Sequence, residues 1–255
     1  MSELPPVPPG GGANPSTGPD GVPGTWSTGP SGHDRDDAAA WGVAAESEPR
    51  WPPVVAVLVA IGLQIVLPER LIEGLGPRWL IPVLEGVLLA ALLITNPHRH
   101  GREESALRWL SLAMIAVITV ANLVALGELI RSLLVYTSTG GRTLVYASVP
   151  IWITNVIVFG LWYWELDRGG VTARMQVSHR RPDFLFPQMS VPGSSPGWAP
   201  QFVDYLYTSF TNATAFSPTD TMPLTPLAKL LMMLQSLASL LTVALVISRA
   251  INILK

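Results

Sequence analysis

The sequence predicts an all-α membrane protein with five transmembrane helices plus a re-entrant, pore-like half-helix and loop. Three observations carry that expectation. Of the 255 residues, 49% are hydrophobic and only 13% are charged, about half the charged share of a soluble domain. The apolar residues fall in long uncharged blocks, the pattern of helices built for a hydrocarbon core. Before the last block stands TSFTNATAFSPTDTMP at 208–223, an aromatic-rich stretch that runs into a hydroxyl-rich turn with an acidic residue and a proline.

Residues 1–50 form a tail. They hold nine Pro and nine Gly, with seven acidic residues against two basic ones. Such a segment cannot bury enough apolar surface to offset its ordering entropy, so disorder is expected. It lacks the basic start, apolar run and small-residue cleavage site of a signal peptide. Its Pro-rich PPVPP at 5–9 is the best candidate stretch for a protein ligand.

Residues 51–166 hold four predicted spans. Trp51–Pro68 is uncharged, Trp79–Pro97 carries only Glu85, Trp109–Gly127 includes Asn122, and Thr143–Trp164 includes Pro150 and Asn155. Each is about the 20 residues that cross a core roughly 30 Å thick. Continuous apolarity argues against barrel strands, which alternate. Trp51, Trp79, Trp109, Trp162 and Trp164 fall at block ends, where indoles favour the headgroup interface. Gly140-Gly141 and Gly169-Gly170 break the chain. Residues 167–200 read as a polar connecting loop. Residues 201–255 read as the pore-like unit: a half-helix over Gln201–Thr211, a loop, and a last span over Leu230–Ile247. Thr225-Pro226 suits an N-cap followed by Pro at the first helical position.

Several groups are candidates for function. Thr214, Ser217, Thr219 and Asp220 could line a constriction if several copies met there, and acidic rings favour cations. Gln235, Ser239 and Thr242 share one helical face, which suits either a pathway lining or packing between membrane helices. Glu85 is an ionisable group inside a span, with Asn122 and Asn155 as candidate partners; such a group is a functional-site hypothesis by default. His98 and His100 lack further ligands for a metal. No nucleophile elbow, P-loop, zincin helix or dinucleotide fingerprint occurs, so no enzyme and no cofactor are expected. The net charge of −2 gives no reason to expect nucleic acid as a partner. The absence of cysteine removes disulfides and thiolate chemistry. The expected partners are the lipid bilayer, further copies of the chain, and a cation.

The stretch Phe202–Ile247 resembles the pore domain of potassium channels. The matching residues are the half-helix ending Ser209-Phe210-Thr211, Thr214 at the first filter position, Asp220 after the filter, Pro223, and a last helix with a hydroxyl-bearing face. The filter itself departs from that family. Ser217 and Thr219 stand where glycines supply the backbone angles of a carbonyl ladder, and Pro218 replaces the aromatic, a poor fit given its fixed φ. With LDRGG at 166–170 and DFLFPQM at 183–189, the last 90 or so residues resemble an uncharacterised family of bacterial integral membrane proteins. That resemblance implies a multi-pass protein of the plasma membrane. Arginine outnumbers lysine 14 to 2, which fits a GC-rich bacterial genome.

Orientation is contested within the sequence. With the tail in the cytoplasm, nine basic residues near the helices lie inside and six outside, which favours that placement. A potassium-type loop enters from outside, and five spans then place the tail outside as well. Two functions follow: an oligomeric pore-like protein passing cations or small polar solutes, or a non-conducting structural or regulatory scaffold. A carrier working through Glu85 is a third.

Overall fold

The structure is a computed structural model, and it describes residues 48–49, 51–72, 76–94, 102–135, 141–174, 181–190, 198–214 and 220–253. The described chain is mostly helical. The main helices are α1 (Trp51–Val66), α2 (Leu80–Ile94), α3 (Arg102–Val135), α4 (Gly141–Leu166), α5 (Phe202–Thr214) and α6 (Pro226–Ile253). Each of the five apolar blocks of the sequence holds a helix. Three helical stretches are long and apolar enough to cross a membrane: Ala106–Leu133, Tyr146–Gly169 and Pro226–Ser248. Helices α1 and α2 are apolar but have 16 and 15 residues, so they rise only about 24 and 22 Å at 1.5 Å per residue. The protein is membrane-embedded on this evidence, and its outer surface agrees. Leu230, Met233, Leu237 and Leu240 on α6 are all exposed, a stripe that suits lipid far better than water.

Two layers mark the ends of the bundle. At the far end, Leu67 and Leu71 after α1 pack with Ala125, Leu126 and Leu129 of α3, Ala147 and Ile151 of α4, and Ala238 of α6. At the other end lies a polar cap. It joins Glu48 before α1, the end of α4, and the starts of α5 and α6. Arg108, near the start of α3, lies beside Gly170 in this cap. Helices α1, α3 and α6 therefore run from cap to far layer, and α4 runs back. Helix α2 starts near the far layer, because Arg78 just before it donates to the carbonyl of Ile65 at 2.6 Å.

Helix α4 is the hub. Its best apolar window is 72% buried, against 22% for α6, so α4 sits inside and α6 at the rim. Pro150 lies within α4, and the helix continues through it. Gly160 lets α5 approach closely: a Cβ there would lie 3.2 Å from the Leu206 Cα. Small residues at such crossings are the usual device of membrane helix packing.

The segment expected as a polar connector folds, in its described parts, into the cap. After α4 a 3₁₀ turn spans Asp167–Gly169. Arg168, Gly169 and Gly170 carry φ of 55°, 87° and 105°, so LDRGG is a left-handed reversal. A single helical turn, Val171–Arg174, follows. Strand β1 (Phe184–Leu185) then pairs antiparallel with β2 (Met222–Pro223), Phe184 opposite Pro223. Phe184, Phe186 and Met189 of DFLFPQM are buried. The Phe184 ring meets Tyr163 at 4.9 Å and the Phe186 ring meets Tyr205 at 5.2 Å.

Candidate functional site

The cap is held by carboxylates that each collect several donors. Asp183 is central. Its Oδ2 accepts the Arg168 N–H at 2.9 Å and its Oδ1 accepts the Thr225 hydroxyl at 2.7 Å. Its own N–H donates to Asp167 Oδ1 at 2.7 Å, and its carbonyl accepts from the Leu224 N–H at 2.8 Å. One residue thus fixes the left-handed Arg168, the start of α6 and the β pairing. Asp167 Oδ2 accepts the Tyr205 hydroxyl at 2.5 Å. Arg174 donates to the carbonyls of Trp164 and Asp167 at 2.5 and 3.2 Å, and lies over the rings of Trp164 and Tyr205. Glu48 accepts from the Trp164 indole at 2.7 Å and from the Phe202 N–H at 2.6 Å.

From the cap, α5 and α6 descend side by side. Thr225 caps α6, with the Ala228 N–H donating to its Oγ1 at 3.3 Å, as Thr-Pro predicts. Asp204 Oδ2 accepts the Gln201 N–H at 2.8 Å and closes the start of α5. Lower down, Gln235 of α6 is fully buried and uses all its amide capacity. Its Oε1 accepts from the Tyr163 hydroxyl at 2.5 Å and Asn212 Nδ2 at 2.7 Å. Its Nε2 donates to the Ser209 carbonyl at 2.9 Å and Oγ at 2.6 Å. Ser209 in turn donates to the Val156 carbonyl at 2.6 Å. One turn further, the Ser239 hydroxyl donates to the Ala213 carbonyl at 2.5 Å and accepts from the Trp152 indole at 2.8 Å. Higher residues of α5 meet earlier residues of α6, and lower ones later, so both helices run the same way. The chain then returns from the end of α5 to β2 in the cap.

The sequence-predicted residues divide accordingly. Gln235, Ser239 and Thr242 do share a face, and it points into the protein. All three are buried, and the Thr242 hydroxyl donates to the Ala238 carbonyl at 2.8 Å. Thr214 and Asp220, on either side of residues 215–219, are exposed, with the Thr214 hydroxyl donating to the Phe210 carbonyl at 2.9 Å. Ser217 and Thr219 lie outside the described residues, as do His98 and His100. Glu85 is fully buried, and its Oε1 accepts from Gln64 Nε2 at 3.0 Å. The bond comes from α1 and not from either asparagine. Asn155 instead donates to the Gln235 carbonyl at 3.4 Å. Asn122 lines a small cavity of about 20 Å³ with Gln64 and Arg78, room for one water. Among the described residues, no group of three His, Cys, Asp or Glu could hold a metal.

Sequence reasoning passed over Glu48, Asp167, Asp183 and Tyr205 as site residues. Asp167 and Asp183 lie inside the two motifs that carried the bacterial resemblance, and that was their only signal. Glu48 had none, because a lone acidic residue in an acidic tail looks solvated. No model of a known family, no curated protein and no solved structure matches this chain.

Proposed function

We propose that the protein is a five-pass membrane protein whose α5, turn and α6 form a degenerate, re-entrant pore-like element, used as a non-conducting scaffold. One observation carries the non-conducting reading. The polar face of α6 is consumed inside a single copy, where Gln235 and Ser239 bind α4 and α5. Between Leu230 and Leu241, what α6 offers outward is leucine and methionine. A second copy would meet that apolar face and would find no hydroxyl row for a wet path. The last carbonyls of α5 carry the negative end of its dipole. In a cation pore they would face the ion; here Ser239 covers that of Ala213.

Five passes are supported by direction. Helices α1 and α2 are short, yet α1 runs between the same two layers as α3, α4 and α6, and α2 starts beside the far one. A re-entrant α5 is supported by both its start and the start of α6 meeting the cap. The bond from the Phe202 N–H to Glu48 supports a common side for the start of α1 and the entry of α5. With the basic-residue count, that side is the cytoplasm, and the element is inverted relative to a potassium-channel loop.

The conducting reading keeps one supporting observation: Thr214 and Asp220 are exposed at the turn, where several copies could present them to one axis. Flux decides between the two. Full-length protein in liposomes should pass neither potassium nor sodium above the protein-free rate, with Asp220→Ala indistinguishable. A cation current removed by Asp220→Ala would overturn the scaffold reading.

A further inference from the structure

Glu85 is a carboxyl inside α2 with no exposure at all. Its two oxygens differ. Oε1 accepts from Gln64 Nε2 at 3.0 Å, while Oε2 has no partner among the described residues. That is the pattern of a neutral acid, with a carbonyl oxygen that accepts and a hydroxyl that still lacks an acceptor. The surroundings offer a carboxylate no counter-ion. Helix α2 packs chiefly on α1 and α3. Helix α1 carries no charged residue. On α3, the ionisable residue nearest to Asn122 along the helix is Glu128, six positions on and paired with Arg131 at 3.6 Å. An unpaired charge at Glu85 would lose its solvation with nothing to offset it.

The two sides of Glu85 are unlike. Towards the far layer, one turn away, Ile81 and Pro82 of α2 line the small cavity shared by Gln64, Arg78 and Asn122. Asn122 is buried there and has no hydrogen-bond partner among the described residues. Arg78 brings a positive charge. Its Nη1 binds Glu69 and its Nη2 the Ile65 carbonyl, while its Nε has no partner. Arg78 and Glu69 both reach water, and Arg70 beside them is exposed. Towards the cap, Leu89 on the next turn of α2 packs in one buried apolar cluster with Val57, Ala60, Ile115 and Ile118.

We infer that Glu85 is a proton-binding site, loaded from the far end by a water in this cavity and closed towards the cap by apolar side chains. Loading forms the Oε2–H bond with a proton from the cavity water. Release returns that proton to the water and leaves a carboxylate, with Gln64 holding Oε1. An ionisable group within a span is costly to keep unless it is used. The apolar layer excludes water, so the site binds a proton without passing it across. The inference therefore stands whether or not the α5–α6 element conducts.

The test reads the C=O stretch of protonated carboxyls by infrared difference spectroscopy, on the full chain in lipid nanodiscs. A band absent from Glu85→Gln belongs to this residue. Glu85→Asp should move the same band, which assigns it even if Glu85→Gln fails to fold. In the parent the band should fade reversibly as the pH is raised, and shift on transfer to D2O. Asn122→Leu removes the unpartnered amide from the cavity and should slow the D2O shift by about tenfold, the equivalent of one hydrogen bond of the cavity water at about 1.4 kcal/mol per decade. A band that ignores both pH and D2O, or no band at all, overturns the proton site. Exchange as fast in Asn122→Leu as in the parent overturns the loading route. A band displaced by sodium at fixed pH reassigns the site to a metal cation and overturns the proton assignment.

Discussion

Replacing Gln235 by leucine tests how the polar face of α6 is used. Leucine nearly matches glutamine in volume, so the cavity contribution is small and the loss is polar. Three links go with the amide: to Tyr163, Asn212 and Ser209. Hydrogen bonds between membrane helices average about 0.6 kcal/mol and reach about 1.7, so the links together give about 2 kcal/mol. Asn212 keeps the Met232 carbonyl at 3.0 Å and Ser209 keeps that of Val156. Among the described residues the Tyr163 O–H has no other acceptor, and a stranded buried donor costs about 1–3 kcal/mol. The expected loss is about 2–4 kcal/mol, read by unfolding in mixed micelles followed by far-UV circular dichroism. Tyr163→Phe removes the donor that Gln235→Leu strands. The double variant should therefore be more stable than the sum of the singles predicts, by about 1 kcal/mol. Additivity within about 0.4 kcal/mol, or a Gln235→Leu protein as stable as the parent, would refute the packing argument. It would mean that this face is wet and free to line a path.

Two further outcomes follow from the same geometry. Gly160→Ala should destabilise by about 1–3 kcal/mol, because the new Cβ meets Leu206 backbone at 3.2 Å. Gly62→Ala has open space around it and should be neutral or stabilising by up to about 1 kcal/mol; equal effects in the same unfolding assay would show that α5 is not pressed against α4. Single cysteines introduced at Pro49 and Glu69, exposed on opposite ends of α1, should react with an impermeant reagent from opposite sides of a sealed vesicle. Labelling of both from one side would remove α1 as a pass and with it the five-pass reading.

The helices were legible in the sequence because their signal is local. Uninterrupted apolar runs bounded by Trp, Gly and Pro mark where a helix lies, whatever packs around it. Thr225-Pro226 could be read for the same reason, since the cap bond of Thr225 to the Ala228 N–H involves neighbours only. The face of α6 was half legible. Spacing places Gln235, Ser239 and Thr242 together, but spacing does not say whether the face looks at a path or at α4. That depends on how α6 is rotated, and Leu230, Met233 and Leu237 on the other side settle it only once α4 and α5 are in place. Glu85 shows the same limit. The sequence marks it as costly inside a span, and its partner Gln64 in α1 was one polar residue among several. The cap was illegible for a stricter reason. Its bonds join residues 48, 167, 183, 202 and 225, and no periodicity links positions so far apart.

The cap also bears on the conflict over orientation. Charge pattern and channel analogy could both hold only if the side of the tail and the side of α5 were independent. The bond from the Phe202 N–H to Glu48 argues that they are not. In the five-pass reading, α6 then ends opposite the tail. A potassium-type element needs its half-helix to start outside, which would carry an acidic tail of nearly fifty residues across the membrane. The opposite placement needs only an inverted loop. An inverted loop is costly for a filter tuned to one direction of ion entry. It costs nothing for an element whose polar groups are already spent on α4, as those of Gln235 and Ser239 are. With five passes, the orientation that charge favours and the scaffold reading that hydrogen bonding favours are therefore compatible with each other.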